Sequence, residues 1–140
     1  MPIYSKTGTA ELADSAFAGS GIEKLTFYKT TITFLGGSPF RNMPNLKELF
    51  IYCNSTSNGY KNMDADTFAN IGGQVNVYFF GHTKEEVLAK VGNDAWLTNA
   101  DEGVTFYFKD TIPEGVEVPS IGSGSGGGGS IIGPGIRPLL

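Results

Sequence analysis

A short motif recurs three times in this chain, and its spacing limits the folds that the chain can adopt. A small residue precedes a phenylalanine each time, and the phenylalanines, Phe17, Phe40 and Phe68, lie 23 and 28 residues apart. Alternating apolar residues follow each of them and predict a short strand with one apolar face, formed by Leu25 and Phe27, Leu49 and Ile51, and Val77 and Phe79. A unit this short cannot bury its own apolar face, whereas stacked units cover one another. The repeat therefore predicts an α/β solenoid of short coils, with parallel strands on one side and helical turns on the other.

The segment after the third repeat is predicted to cap the solenoid. Thr83, with Glu86 three residues later, has the spacing of a capping box, so a helix is predicted over residues 83–91 that ends at Gly92. Trp96 is predicted to lie in the core of the cap. A last strand follows, with Val104, Phe106 and Phe108 facing one way and Thr105, Tyr107 and Lys109 facing the other. A C-terminal helix and strand would cover the final coil, which has no following neighbour.

The remaining segments read as loops, linkers and tails. Asn54 to Asp64 is polar and contains Asn58-Gly59, so it is predicted to be a surface loop inserted between the second and third repeats. We expect a leucine-rich-repeat domain with its cap over residues 1–115, then a Pro/Gly/Ser-rich linker over residues 116–130. The last segment, residues 131–140, is predicted to be an apolar docking peptide, with Ile131, Ile132, Ile136, Arg137, Leu139 and Leu140 as its docking side chains.

The repeat pattern resembles a known family. A small residue and phenylalanine, then a leucine, then Leu-x-Ile is similar to the BspA-like leucine-rich repeats of the Treponema pallidum type, over residues 10–110. Members of that family are mostly surface-exposed binding and adhesion proteins of host-associated bacteria, with relatives in phages and protists. The resemblance implies a solenoid of leucine-rich repeats that acts in binding and is not an enzyme.

A row of aromatic residues is the candidate binding site. The outward strand positions of the repeats hold Tyr28, Phe50, Tyr52, Tyr78 and Phe80, and the last strand adds Tyr107. Outward positions of a half-buried sheet are expected to be polar, and an apolar stripe facing water marks a contact surface. Three interpretations stay open: stabilisation of the sheet by aromatic ladders, binding of a protein or of a second copy, and stacking of sugars with Lys24, Glu48, Asn76 and Lys109 as edge groups.

Composition excludes several other functions. The net charge is −4 and the lysines and arginines form no run, which argues against a nucleic-acid partner. No apolar segment approaches the length of about 18 residues that a membrane span needs, so no membrane insertion is expected. The start of the chain lacks the charged and apolar regions of a secretory signal peptide. Localisation at a cell surface or a virion surface is nevertheless what the family resemblance implies.

No catalytic chemistry is expected. Cys53, the single cysteine, is predicted to be a buried apolar residue, and His82, the single histidine, a turn residue. The sequence shows no metal-ligand spacing and no phosphate-binding loop, so neither a metal nor a cofactor is expected. The predicted function is a non-enzymatic interaction or adhesion module that binds a protein or a cell-surface glycan. The alternative is a phage-virion decoration protein, or another assembly-attached protein, docked by its C-terminal peptide. Whether the linker and the peptide are native or an engineered fusion stays open.

Overall fold

The structure is a computed structural model that describes residues 2–4, 9–55 and 59–119. Its strands form two sheets in which every pairing is parallel, one with the order β1-β3-β5-β7-β8 and the other with the order β2-β4-β6. Two short helices, α1 and α2, precede the last strand. The predicted α/β class with parallel strands is therefore confirmed. The elements are β1 (Pro2–Tyr4), β2 (Thr9–Leu12), β3 (Lys24–Lys29), β4 (Thr31–Phe34), β5 (Glu48–Cys53), β6 (Tyr60–Lys61), β7 (Val75–Phe79), α1 (Lys84–Val91), α2 (Ala95–Thr98) and β8 (Val104–Phe108).

From β1 to β7 the chain alternates between the two sheets. Strands β1, β3 and β5 are each followed by a strand of the three-stranded sheet. The chain then returns to the five-stranded sheet, where the new strand pairs with the previous strand of that sheet. The register agrees with the repeat alignment, because Leu25 pairs with Leu49 and Leu49 with Val77. The predicted inward positions thus lie in straight rows across the sheet.

Both sheets contribute to one hydrophobic core. The predicted inward residues of β3, β5 and β7 are fully buried, and Ile32, Phe34 and Tyr60 of the three-stranded sheet join them. The motif phenylalanines form a column at one side of this core, with ring centres 6.3 Å apart for Phe17 and Phe40 and 5.9 Å apart for Phe40 and Phe68. The recurring phenylalanines therefore pack in or against the core, with Phe40 and Phe68 fully buried and Phe17 partly buried.

On the other side of the molecule, one feature was not predicted and one prediction is wrong. Beside the turns that carry the motif phenylalanines lies a second parallel sheet, which the sequence did not predict. The predicted surface loop Asn54 to Asp64 contains β6, and Gly59, Tyr60 and Met63 within it are buried. Because β6 spans only two residues and its neighbours are polar, the segment carries no alternating pattern that would reveal it.

The turns between strands are joined to one another by backbone hydrogen bonds. The N–H of Gly19 donates to the carbonyl of Asn42, and the N–H of Asn42 donates to the carbonyl of Asn70, each at 2.9 Å. At the end of this series the carboxylate of Asp101 accepts the N–H groups of Asn70 and Ile71, each at 2.8 Å. Among the described residues no following turn is present to accept these two N–H groups, and an unpaired backbone donor is costly. The Asp101 carboxylate supplies the acceptors instead.

The helix, the buried tryptophan and the last strand predicted after the third repeat are present. The N–H of Thr83 donates to the carboxylate of Glu86 at 2.8 Å, and the N–H of Glu86 donates to the Thr83 hydroxyl at 3.2 Å, which is the predicted capping box. Gly92 ends α1 in the left-handed conformation with φ of 89°. Trp96 is fully buried, and its indole N–H donates to the carbonyl of Asn93 at 2.8 Å. The predicted helix, tryptophan core and last strand all lie where the sequence placed them.

The predicted C-terminal segments extend beyond the described residues. Residues 116–119 of the linker are described, whereas the rest of the linker and the docking peptide lie outside the described part of the chain. The docking residues Ile131, Ile132, Ile136, Arg137, Leu139 and Leu140 therefore stay predictions. In the described ranges, neither helix is long and apolar enough to cross a membrane.

Candidate interaction surface

The six predicted binding aromatics lie on one side of the five-stranded sheet, and we call them the aromatic face: Tyr28, Phe50, Tyr52, Tyr78, Phe80 and Tyr107. Phe50 pairs with Tyr78 and Tyr78 with Tyr107, which makes one row, and Tyr28 pairs with Tyr52 in a second row. Phe80 follows the end of β7 and continues the second row, with its ring centre 5.2 Å from that of Tyr52. The predicted register of the outward positions is confirmed, whereas their role in binding stays a prediction.

One member of the second row was missed. Tyr4 of β1 is the register partner of Tyr28, so a further tyrosine lies at the same row position. The repeat alignment began near residue 10 and did not include this first strand. A terminal strand of three residues that ends in tyrosine carries too short a pattern to be recognised alone.

The rings within each row stack on one another. Ring centres are 4.7 Å apart for Phe50 and Tyr78, 5.2 Å for Tyr78 and Tyr107, and 5.1 Å for Tyr28 and Tyr52, with planes within 17° of parallel in all three pairs. Near-parallel rings this close are in offset face-to-face contact, because rings lying side by side in one plane would collide. Stacking along each row therefore covers the ring faces that neighbours share, and the ring edges point away from the sheet.

The prediction that the whole aromatic face is open to water is wrong at two positions. Phe50 is 1% exposed and Tyr78 is 2% exposed, while the other four members are half-buried. Neighbours on both faces contribute to this burial: the Lys24 ammonium lies 5.9 Å from the centre of the Phe50 ring, whose other face carries Tyr78. The accessible part of the surface is therefore formed by Tyr28, Tyr52, Phe80 and Tyr107.

Polar groups border the aromatic face at both ends of the strands. Lys24, Glu48 and Asn76 share one row by register, and the Lys24 ammonium lies 3.5 Å from the Glu48 carboxylate. The Tyr78 hydroxyl donates to the same carboxylate at 3.5 Å. Burial raises the pKa of Tyr78, and the negative charge of Glu48 raises it further. Lys109 lies at the opposite end, where its backbone N–H donates to the carbonyl of His82 at 2.8 Å.

At this second border, the turn after β7 contacts the three-stranded sheet. His82 Nδ1 lies 2.6 Å from the hydroxyl of Tyr60, and its ring centre is 5.3 Å from that of Tyr52. Desolvation lowers the pKa of His82, with Lys90 and Lys109 acting in the same direction and Glu86 opposing them. The predicted turn position of His82 is confirmed, but its link between the core and the aromatic face could not be read from the sequence.

Gly81 gives Tyr52 its place in the row. A Cβ atom at Gly81 would lie 1.9 Å from the Tyr52 ring, so the ring rests directly on the glycine backbone. The other contacts of Tyr52 are the stacked Tyr28 and the tilted Phe80. Both faces of Tyr52 are thus engaged, and desolvation raises the pKa of its hydroxyl.

The single cysteine and the possible metal-ligating side chains of the described residues can be assessed directly. Cys53 is fully buried as predicted, and burial raises the pKa of its thiol, so the neutral thiol form prevails at neutral pH. Nowhere in the described ranges do three or more histidine, cysteine, aspartate or glutamate side chains group in a way that could hold a metal ion.

Comparison of the chain with protein families, with curated proteins and with solved structures finds no match. The proposals below therefore depend on the geometry of the aromatic face and its borders.

Proposed function

We propose that the chain is a non-enzymatic interaction module that binds a protein partner through the aromatic face. The observation that carries this proposal is the arrangement of six aromatic side chains in two in-register rows on one side of a sheet. Four of them keep part of their surface accessible, although a parallel sheet is normally covered on both faces. Tyrosine combines a large apolar contact area with a hydroxyl and is enriched in protein interfaces.

The ring orientation favours a protein over a glycan. Sugars stack on the flat faces of aromatic rings, but among the accessible rings Tyr52 has neighbours on both faces, and Tyr28 and Tyr107 each have one face stacked on a neighbour. Tyr52 therefore presents its ring edge and hydroxyl, which suit the oxygen atoms and apolar side chains of a polypeptide. A cell-surface glycan is the competing ligand class that the experiment below also probes.

We further propose that the fold is an α/β solenoid of leucine-rich-repeat coils, of the BspA-like type, with α1, α2 and β8 as its C-terminal cap. Support comes from the alternation of the chain between two parallel sheets and from the equivalent positions of Leu25, Leu49 and Val77. A module of this type fits an adhesion role at a cell surface or a virion surface, and it needs no cofactor.

Replacing Tyr52 and Phe80 with threonine together is expected to weaken binding of any ligand of the aromatic face by about tenfold or more. Truncating a central aromatic contact typically costs more than 1 kcal/mol, and about 1.4 kcal/mol corresponds to tenfold. Threonine retains strand propensity, and both residues are half-buried, unlike Phe50 and Tyr78. The measurement is selection of binders from a peptide-display library and from a glycan array with the unaltered chain, followed by titration of both proteins.

The matched control is Leu35→Ser, which removes an apolar side chain that is 56% exposed and lies outside the aromatic face. Circular dichroism and the urea midpoint verify that each variant folds. Binders that respond equally to both variants, or to neither, contradict a role for the aromatic face. If glycans are the only ligands selected, the aromatic face is a glycan-binding site and not a protein-binding site.

A second proposal, attachment to a larger assembly, is motivated by the apolar segment 131–140 that follows a Gly/Ser-rich stretch. The Gly/Ser-rich composition is that of a linker, and the apolar segment after it is short enough to be a docking peptide. Deleting residues 131–140 is expected to abolish incorporation into a phage particle or other assembly while the repeat domain unfolds at an unchanged urea concentration. Sedimentation of the assemblies measures how much of the chain is incorporated. Retained incorporation of the truncated chain would exclude docking through this peptide.

A further inference from the structure

We propose that neutral His82 is a positioning residue of the aromatic face: its Nδ1 atom accepts the hydroxyl hydrogen of Tyr60 and so holds the turn that supports Tyr52. Protonation of His82 releases this turn, and binding through the aromatic face weakens as the pH falls. This inference rests on the proposed function and specifies the regulation of that same site. Three observations support it: the place of the turn in the aromatic face, the burial of its anchor, and the direction of the hydrogen bond.

On one side, the turn after β7 forms part of the aromatic face. Phe80 is itself a member, and the backbone of Gly81 lies directly under the Tyr52 ring, because a Cβ atom at Gly81 would collide with that ring. The His82 ring also contacts Tyr52, with ring centres 5.3 Å apart. These three consecutive residues thus position two of the four accessible aromatic side chains. A displacement of the turn therefore changes the surface that a partner meets.

On its other side, the turn is anchored to a residue of the core. Tyr60 is 0% exposed, and its ring packs edge-on against Phe79, with ring centres 5.6 Å apart. The Tyr60 hydroxyl lies 2.6 Å from Nδ1 of His82. The backbone of the turn is held separately, since the carbonyl of His82 accepts the N–H of Lys109 at 2.8 Å. The His82 side chain therefore links the aromatic face to a buried group that has little freedom to move.

The geometry indicates that Tyr60 is the donor in this hydrogen bond. A separation of 2.6 Å is shorter than the range of about 2.7–3.2 Å for N–H donors and lies within the range for O–H donors. The backbone of Cys53 also forms a hydrogen bond that lowers the pKa of Tyr60, as a donor to the phenol oxygen does. The single hydroxyl hydrogen then points to the lone pair of Nδ1. His82 is therefore neutral, with its own proton on Nε2.

Protonation of His82 removes the acceptor of this hydrogen bond. Both ring nitrogens of a protonated histidine carry hydrogen, so Nδ1–H and the Tyr60 hydroxyl would face each other as two donors. If the phenol hydrogen turns away it gives up its present acceptor, and an unpaired donor in the core is costly. Tyr60 is packed in the core, whereas His82 is half-buried at the border. The imidazole is therefore the group that moves, and its contact with Tyr52 is lost.

The titratable and charged groups around His82 come from α1, β5, β6 and the end of β8: Glu86, Lys90, Tyr52, Tyr60 and Lys109. Desolvation lowers the pKa of His82 below its ordinary value of 6.5, Lys90 and Lys109 lower it further, and Glu86 opposes them. Asp110, which follows Lys109, is exposed. Because the folded chain binds this proton less readily than the unfolded chain, the contribution of His82 to stability is present above about pH 6.5. It is lost as the pH falls through the lower pKa of the folded chain.

NMR titration of the full chain from about pH 8 to about pH 5 tests the positioning role, because His82 is the single histidine. We expect Nδ1 to carry no proton near pH 8, and the signals of Tyr52 and Phe80 to change with the same midpoint as those of His82. Tyr60→Phe is expected to raise that midpoint, because the neutral imidazole loses its hydrogen bond. Tyr28→Phe is the matched control and should leave the midpoint unchanged, since Tyr28 lies on the far side of Tyr52.

The regulatory role is tested with peptides from the display selection that contain no aspartate, glutamate or histidine and have blocked termini, so that only the chain titrates. Their affinity is expected to fall about fivefold or more between about pH 8 and about pH 5, the lower end of the usual coupling between two sites. By reciprocity, a bound peptide should lower the midpoint of His82. His82→Gln retains an acceptor for Tyr60 and does not titrate, so binding of the same peptides should become independent of pH.

A proton on Nδ1 near pH 8, a midpoint that Tyr60→Phe does not raise, or Tyr52 and Phe80 signals that do not follow His82 would overturn the proposal, whether or not a peptide binds. Peptide binding that stays constant while those signals follow His82 overturns the regulatory role and leaves the interaction module intact. Absence of any binder contradicts the interaction module, and the NMR titration then still decides whether His82 positions the turn.

Discussion

Replacing Phe79 with alanine is expected to lower the free energy of unfolding by about 3–5 kcal/mol, the usual cost of removing a buried phenylalanine ring. Phe79 is 0% exposed, and its ring joins three parts of the molecule. Ring centres lie 5.6 Å from Tyr60 in the three-stranded sheet, 5.5 Å from Trp96 in the cap and 5.4 Å from Phe108 in the last strand. Because all three neighbours are themselves packed in the core, the cavity cannot close easily.

Urea unfolding followed by circular dichroism measures this effect, and fluorescence of the single tryptophan reports on the cap separately. Leu35→Ala is the control, because Leu35 is 56% exposed and such positions usually change stability by less than about 0.5 kcal/mol. A loss below about 1 kcal/mol for Phe79→Ala would mean that the two sheets and the cap do not share one core. Two separate transitions in the unaltered chain would lead to the same conclusion.

Strands β3, β5 and β7 were predictable because three signals coincide in them. The motif phenylalanine sets the start of each unit, alternation sets the inward face, and equal spacing sets the register. Leu49 and Ile51 follow Phe40 at the same distances at which Val77 and Phe79 follow Phe68. The capping box of α1 was equally local, since Thr83 and Glu86 alone determine it.

The second sheet could not be predicted because its strands lack boundaries in the sequence. A single residue, Thr30, separates β3 from β4, so no loop marks the boundary between the two strands. The corner that sends the chain from one sheet to the other contains neither glycine nor proline, which are the usual signals of a turn. In β6 the alternating pattern is only two residues long. These strands are defined by pairing with neighbours, and pairing is a tertiary property.

The candidate site was predictable in its position and not in its exposure. Alternation and register place the aromatic residues on one side, but the burial of Phe50 and Tyr78 depends on how rings and the Lys24 side chain pack above the sheet. The contact between Tyr60 of β6 and His82 of the turn after β7 joins residues 22 positions apart, and no local pattern encodes it. The outward strand positions alone therefore overstated how much of the aromatic face is accessible to water.

Replacing Gly103 with alanine is expected to destabilise the chain by about 1–3 kcal/mol through overpacking. A Cβ atom at Gly103 would lie 2.6 Å from the carbonyl oxygen of Gly73, and a Cβ atom at Gly73 would lie 2.7 Å from the carbonyl oxygen of Pro44. These glycines lie just before β8 and β7, so successive passes of the chain approach closely there. The obstructing atoms belong to the backbone, which can yield only if neighbouring strands move apart.

Gly21→Ala is the matched control, because Gly21 lies before β3 and its Cβ would have its nearest neighbour, the Asn45 side-chain nitrogen, at 4.0 Å. Neither Gly21 nor Gly103 has positive φ, so alanine is compatible with the backbone at both positions and only the available space differs. Gly21→Ala should leave stability unchanged or raise it by about 0.4–1 kcal/mol, since alanine restricts the unfolded chain. Urea unfolding of the two variants side by side measures the difference. Equal midpoints would show that β7 and β8 are not as close as their register requires, and the stacked row from Phe50 to Tyr107 would then lose its support.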